Sequence, residues 1–260
     1  MARPAAPGAR AHGLNPSLEA PETVHPEPVL SVVMPVYNEQ GAIRDVLVAW
    51  DDEIARLGVP YELRVYDDGS RDGTPAILDE VARERPHVIA VHQPNRGHGP
   101  TIRRGYEEAR GEWVFQVDSD DEMSPASFPD VWGRRDADLV LGYRVGRDSP
   151  RVRRIVTAVS RWTVRCLFGA GVRDVNTPYR LYRRELLARL LPLVPPDAFA
   201  PNVILSGLAI RSGARVAEVG VPHRGRRSGI AHLARFRLLA AAARSFVQTA
   251  RVAVLGARRG

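Results

Sequence analysis

The sequence predicts an α/β fold with a mostly parallel central sheet and helices on both faces. Three observations predict it. Short apolar runs alternate four times with segments of helical period. The runs are apolar at nearly every position, as strands covered on both faces must be, and not at every second position. Each run also ends close to a polar cluster, at the edge where sheets of this kind bind ligands.

The elements follow in order. Val29-Leu30-Ser31-Val32-Val33-Met34, stopped by Pro35, is a buried strand. Residues 40–57 place Ile43, Val46, Leu47, Trp50, Ile54 and Leu57 at helical spacing. Glu62-Leu63-Arg64-Val65-Tyr66 is the second strand and runs into Asp67-Asp68-Gly69-Ser70. A helix over 74–84 carries Ile77, Leu78 and Val81 on one side. Val88-Ile89-Ala90-Val91 is the third strand, 99–110 the third helix, and Trp113-Val114-Phe115-Gln116-Val117 the fourth strand, which leads into Asp118-Ser119-Asp120. The pattern is less regular afterwards. Asp138-Leu139-Val140-Leu141-Gly142 reads as a strand, 151–168 as an arginine-rich helix, 199–211 as a helix and 214–219 as an edge strand. From Ile230 to Leu255 the pattern is helical, with Arg237, Arg244, Arg251 and Arg258 on one stripe and Leu239, Ala243, Phe246 and Ala250 opposite. Residues 1–28, with six prolines and few large apolar side chains, read as a flexible leader. The expected division is therefore leader 1–28, catalytic domain 29–229 and C-terminal amphipathic helix 230–260.

Composition narrows the class. The chain has 260 residues, 44% of them hydrophobic and 26% charged, which excludes disorder throughout. A single cysteine, Cys166, excludes a disulfide framework and a four-cysteine zinc site, and it fits a reducing compartment. There is no apolar run of bilayer length and no signal-peptide core, so the expected location is cytoplasmic. All 37 basic residues are arginine. Residues 1–120 hold 12 arginines against 20 acidic residues, a balance of −8, whereas residues 121–260 hold 25 against 10, a balance of +15. Arginine's donor fork suits phosphate oxygens, so the split suggests a half that meets a phosphate-bearing partner.

Asp118 and Asp120 follow a buried strand directly, and Glu122 lies two residues on. Alternate side chains of an extended segment point the same way, so the three carboxylates are expected to converge. Their hard oxygens suit Mg²⁺ or Mn²⁺, which would hold a diphosphate. Ser70 and Thr74 read as helix caps, Trp132 and Trp162 as packing residues, and Cys166 as core.

Val33-Met34-Pro35-Val36-Tyr37-Asn38-Glu39, Asp67-Asp68-Gly69-Ser70-Arg71-Asp72-Gly73-Thr74, Asn95-x-Gly97-x-Gly99 and Asp118-x-Asp120 together resemble a family 2 inverting glycosyltransferase of GT-A fold. The subgroup most resembled is the dolichyl- or polyprenyl-phosphate mannose synthases and their glucose-transferring relatives. Gly142-Tyr143-Arg144, Asp174-Val175-Asn176-Thr177-Pro178-Tyr179-Arg180 and Arg226-x-x-Gly229 extend the resemblance over residues 29–235. It implies a nucleotide-binding half followed by an acceptor half. Pro35, Tyr37 and Glu39 would line the nucleoside pocket, Asp68 would meet the base, and Gly97 would lie in the donor loop. Asp118 and Asp120 would hold metal and diphosphate, with Glu122 where this subgroup often has Gln. Arg144, Arg153, Arg180 and Arg226 would gather the phosphates. His98 stands where Lys or Leu is usual, and Thr101 where Ala is usual.

The implied reaction moves a hexose, mannose or glucose, from a nucleotide-diphosphate sugar to a polyprenyl phosphate with inversion. The catalytic set would be Asp120, Asp174 and Arg180. A phosphate acceptor is already an anionic nucleophile, whereas a hydroxyl acceptor needs a carboxylate base, for which Asp174 is the candidate. The lipid would be met at the inner face of the membrane, directly or through a membrane-protein partner. The C-terminal arginine stripe could rest on anionic headgroups or dock on the catalytic domain. A nucleotidyltransferase would need a glycine-rich loop after the first strand, which Pro35-Val36-Tyr37-Asn38-Glu39 does not provide. A dinucleotide dehydrogenase lacks its G-x-G-x-x-G. Nucleic acid is not an expected partner, because the first half is acidic and no binding motif is recognisable.

Overall fold

A computed structural model describes residues 27–146, 162, 164–169, 172–223 and 235–257. One seven-stranded sheet organises them: β1 (Leu30–Val36), β2 (Tyr61–Asp67), β3 (Val88–His92), β4 (Trp113–Gln116), β5 (Leu139–Val145), β6 (Arg180–Arg183) and β7 (Val216–Pro222). Their spatial order is β3-β2-β1-β4-β6-β5-β7. Strands β1 to β4 are mutually parallel, as the apolar runs predict. Strand β6 runs antiparallel to both β4 and β5, and β7 closes the far edge parallel to β5. The short helices at 128–132 and 184–190 are absent from the sequence pattern, and strand β6 is the one strand of the sheet that it does not reveal. Its two arginines resemble a polar connection, yet Arg180 is fully buried.

Helices α1 (Ile43–Ala55), α2 (Thr74–Glu84), α3 (His98–Glu108), α4 (Phe128–Trp132), α5 (Arg184–Leu190), α6 (Pro201–Arg211) and α7 (Arg235–Ala257) flank the sheet. The strands alternate their side chains between two cores. Val32 and Met34 pack with Trp50, Leu78 and Phe128 from α1, α2 and α4. Val33 packs on the opposite side with Ile102, Leu187, Val203 and Val252 from α3, α5, α6 and α7. Trp50, Phe115, Phe128 and Tyr179 form an aromatic cluster, with ring centroids 4.5 to 6.1 Å apart across the contacts they make. Helix α7 docks through Gln248, Thr249, Val252 and Ala253, all buried. Trp132 packs as expected, but Trp162 is 64% exposed and Cys166 is also exposed, so neither belongs to the core.

Candidate active site

Two loops at the carboxyl edge of the sheet are bound to each other before any ligand is considered. Asn38, in the left-handed region at φ 54°, lies in the loop after β1. Its backbone N–H donates to Ser70 Oγ at 2.9 Å, and its side-chain oxygen accepts from the Arg71 N–H at 2.8 Å. The Glu39 N–H donates to Thr74 Oγ1 at 2.9 Å. Asp72 accepts from the Thr74 N–H at 3.0 Å and the Gln40 N–H at 3.3 Å. Ser70 and Thr74 are therefore tethers between the loops after β1 and β2, not the helix caps their type suggests; α2 has no side-chain cap bond. Burial opposes the charge of Asp72, but the Thr74 side chain and these N–H groups outweigh it, so the carboxylate stays charged at lower pH than usual.

Asp68 organises the next loop. It is 4% exposed and accepts from Gln93 Nε2 at 2.8 Å, the Arg96 N–H at 2.7 Å and the Gly97 N–H at 2.8 Å. Gly97 sits at φ 90°, which a side chain would strain. At Gly99 a Cβ would lie 2.0 Å from the carbonyl oxygen of Ala198, so this glycine lets the donor loop touch the second half of the chain.

These loops wall a cavity of about 690 Å³. Pro35, Tyr37, Glu39, Asp68 and Gly97 line it together with Asp118, Ser119 and Asp120. Asn176, Pro178, Phe199, Pro201 and Asn202 line it from the second half of the chain. All the residues expected to bind the nucleotide sugar are thus brought together. The carboxylate trio is not. Asp121 takes φ 55°, which breaks the extended alternation, and Glu122 turns to His223, whose Nε2 lies 3.1 Å from Glu122 Oε2. Among the described residues no group of three His, Cys, Asp or Glu side chains is gathered for a metal. Asp118 and Asp120 still offer hard oxygens on one cavity wall, a set suited to a divalent ion whose other ligands are phosphate oxygens and water.

The arginines expected to bind phosphate are used differently. Arg180 is fully buried and is corrected from a phosphate and catalytic residue to a structural one. Its guanidinium donates to the carbonyls of Thr177, Val175 and Asn202 and to the hydroxyls of Tyr182 and Ser206, at 2.8 to 3.4 Å. Arg144 forms a bidentate pair with Asp174, at 2.8 and 3.4 Å. Asp174 is 6% exposed and does not line the cavity, so its carboxylate is committed to Arg144 and not poised as a base. Arg153 and Arg226 lie outside the described residues, as does most of the expected 151–168 helix. Sequence reasoning assigned no site role to Gln116, Phe199, Asn202 or His223. Gln116 carried a readable signal, a polar side chain inside an otherwise apolar strand.

The comparisons with known proteins agree with this geometry. The model of the family described as glycosyl transferase family 2 matches residues 31–191. An undecaprenyl-phosphate 4-deoxy-4-formamido-L-arabinose transferase of Klebsiella pneumoniae subsp. pneumoniae is 30% identical over 221 residues, covering 84% of this chain and 66% of that protein. One from Pseudomonas aeruginosa is 29% identical over 219 residues, covering 83% and 63%. The chain thus spans just under two thirds of the length of these relatives. Among solved structures, glucosyl-3-phosphoglycerate synthase from Mycobacterium tuberculosis in complex with Mn²⁺, uridine diphosphate and phosphoglyceric acid superposes with a TM-score of 0.65 at 24% identity, covering 87% of this chain and 78% of that one. TarS from S. aureus in complex with uridine diphosphate gives a TM-score of 0.52 at 21% identity, covering 74% and 59%. The cavity at the sheet edge, the mostly parallel order of the strands and a family match over more than half the sequence converge: the chain belongs to glycosyl transferase family 2.

Proposed function

We propose that the chain moves a sugar from a nucleotide-diphosphate donor to a polyprenyl phosphate, with a divalent ion and with inversion at the anomeric carbon. One observation carries the reading. The nucleotide-side residues and the Asp118/Asp120 pair share a single cavity with a wall from the second half of the chain, so donor and acceptor meet in one place. The names of the relatives, which are undecaprenyl-phosphate sugar transferases, support the acceptor class. They also favour an unusual amino sugar as readily as the hexose that the motifs imply.

In this reading Pro35, Tyr37 and Glu39 enclose the nucleoside and Asp68 holds the loop that meets its phosphates. Asp118 and Asp120 would hold Mg²⁺ or Mn²⁺, which when bound neutralises charge on the leaving diphosphate. The bond from the anomeric carbon to the diphosphate oxygen breaks as a bond to the acceptor phosphate oxygen forms on the opposite face. No proton needs to be removed from a phosphate anion, which agrees with the commitment of Asp174 to Arg144. Arg144, held by that pair, is the described arginine of the expected acceptor set that remains a candidate, although it does not line the cavity.

The same reading places the protein at a membrane surface. No helix among the described residues is long and apolar enough to cross a membrane. Helix α7 instead turns Phe246, Val247 and Val254 to solvent at 43 to 53% exposure, with exposed Arg244 and Arg251 alongside, the charge and shape that suit an anionic bilayer. Gln248 of the same helix accepts from the Phe199 N–H at 3.0 Å, which links this face to the cavity wall.

The test is to incubate the protein with a panel of labelled nucleotide sugars, Mn²⁺ and a short polyprenyl phosphate. The expected product is a glycolipid, and Asp120→Ala should reduce its formation by at least about 10²-fold. Transfer to a glycan or small-molecule hydroxyl, with none to the lipid phosphate under any donor, would overturn the acceptor assignment.

A further inference from the structure

A line of buried polar groups runs from the second half of the chain to Asp118. Tyr106 Oη donates to Asn202 Oδ1 at 3.0 Å. Asn202 Nδ2 donates to Gln116 Oε1 at 2.9 Å, and Gln116 Nε2 donates to Asp118 Oδ1 at 2.9 Å. Gln116 is fully buried, and Tyr106 and Asn202 are each 4% exposed. The direction of the line is fixed by chemistry. An ionised carboxylate only accepts, so the Gln116 amide must present its NH₂ to Asp118 and its oxygen to Asn202. Asn202 must then turn its own oxygen to Tyr106. Burial pushes the Tyr106 hydroxyl well above the usual tyrosine value, so it stays a donor.

The far end is equally constrained. The Asn202 backbone carbonyl accepts from Arg180 Nη1 at 3.0 Å, and Asn202 begins the second turn-forming position of α6 against the cavity. At the near end, the hydrogen bond from Gln116 and the approach of His98 Nε2 at 3.6 Å both fall on Asp118 Oδ1. Among the described residues Oδ2 receives neither.

We infer that Gln116 and Asn202 are positioning residues, a two-amide relay that fixes the rotation of the Asp118 carboxylate and so aims one oxygen at the cation of the donor complex. The inference rests on the reading of Asp118 as a metal-holding residue. It gives the second half of the chain a part in donor binding: the register of α6 sets the aim of a carboxylate just after β4. It also explains why a fully buried amide ends the apolar run of β4.

The experiment measures Mn²⁺ binding to the full chain by electron paramagnetic resonance, reading the dissociation constant and the spectrum of the bound ion. Gln116→Leu removes the last donor. Asn202→Asp reverses the relay, because an acceptor at 202 forces the Gln116 amide to turn its oxygen toward Asp118. Each should weaken Mn²⁺ about 10-fold, the usual cost of losing an outer-shell partner. The double variant should be no worse than Gln116→Leu alone, because both changes act through one contact. Tyr106→Phe, which keeps the ring packing, should weaken binding by a smaller factor in the same direction. Thermal unfolding of each variant separates lost fold from lost aim. Multiplying effects in the double variant would overturn the relay. So would wild-type affinity in Gln116→Leu and Asn202→Asp while Asp118→Asn no longer binds Mn²⁺, an outcome that leaves the metal role of Asp118 intact. Unchanged Mn²⁺ binding in Asp118→Asn would bring down that role and the relay together.

Discussion

The two halves of the chain use charge in opposite ways. In the first half, carboxylates at strand ends shape the cavity by accepting backbone N–H groups: Asp67 from Ser70, Asp68 from Arg96 and Gly97, Asp72 from Gln40 and Thr74. In the second half, among the described residues, several arginines are taken up by the fold. Arg180 is a buried hub, and Arg183 stacks 4.6 Å over Trp113. Arg173 lies 4.7 Å over Tyr143, and Arg211 binds the carbonyls of Leu167 and Ala253. A charge balance of +15 is therefore not a count of phosphate contacts. Guanidinium groups satisfy orphaned carbonyls and aromatic faces as readily as they satisfy anions.

The largest test of that contrast is Arg180. If it serves the fold, Arg180→Met removes five buried hydrogen bonds. The Val175 and Asn202 carbonyls keep the Ser206 hydroxyl, whereas the Thr177 carbonyl and the Tyr182 hydroxyl lose the guanidinium. Each stranded group costs about 1 to 3 kcal/mol before relaxation, so a net loss of about 3 kcal/mol or more is expected in urea denaturation. A variant that unfolds like the wild type but loses acceptor turnover would instead restore Arg180 to the site. The next effect is on binding. Asp68→Ala releases the 95–97 loop, and KM for the donor should rise about 10- to 100-fold, the loss of one or two hydrogen bonds to a charged acceptor. The value of kcat should change less. An equal fall in kcat with unchanged KM would show that the loop acts in the reaction and not in holding the donor.

Gly99→Ala probes the seam between the halves. The added methyl would meet the backbone oxygens of Ala198 and Phe199, at 2.0 and 2.7 Å. Backbone cannot rotate aside as a side-chain tip can, so a cost of about 1 to 3 kcal/mol is expected, the usual range for overpacking. Denaturation would read it, together with weaker retention of the donor. Wild-type stability would mean that the 197–199 segment moves freely against α3.

What the sequence disclosed follows the same division. Parallel strands β1 to β4 and their polar ends were legible because buried-strand patterning and strand-end chemistry are local signals. The convergence of Pro35, Tyr37, Asp68, Gly97, Asp118 and Asp120 on one cavity follows from that topology. Strand β6 was hidden because Arg180 looks polar, and only its five neutral acceptors, drawn from Val175 to Ser206, make its burial tolerable. Glu122 was misplaced by a single residue, Asp121, whose left-handed φ cancels the period-two argument. Exposure of Trp162 and Cys166 is a matter of tertiary packing, which no local pattern encodes.

The smallest effect expected is a pH dependence in the acidic half. His92 ends β3 with Nδ1 3.0 Å from Asp67 and Nε2 3.0 Å from Asp79, and these two carboxylates raise its pKa above the usual 6.5. A raised histidine pKa means that the folded state binds the proton more tightly than the unfolded chain does. The contribution to stability is therefore fully present below pH 6.5 and is lost as pH rises through the folded value. The side chain is 40% exposed, so solvent screening holds the gain below about 1 kcal/mol. In urea denaturation between pH 5.5 and 9, the stability of the wild type relative to His92→Gln should be greatest at the acidic end and should level off once the imidazole is neutral. Asp67 also accepts from the Ser70 N–H at 2.9 Å, so the loop after β2 keeps that bond at either pH, and donor affinity should change little across the range. A difference that grew toward high pH would mean that the neutral ring is the preferred partner, and that the strand-end carboxylates of the first half are held by the backbone alone.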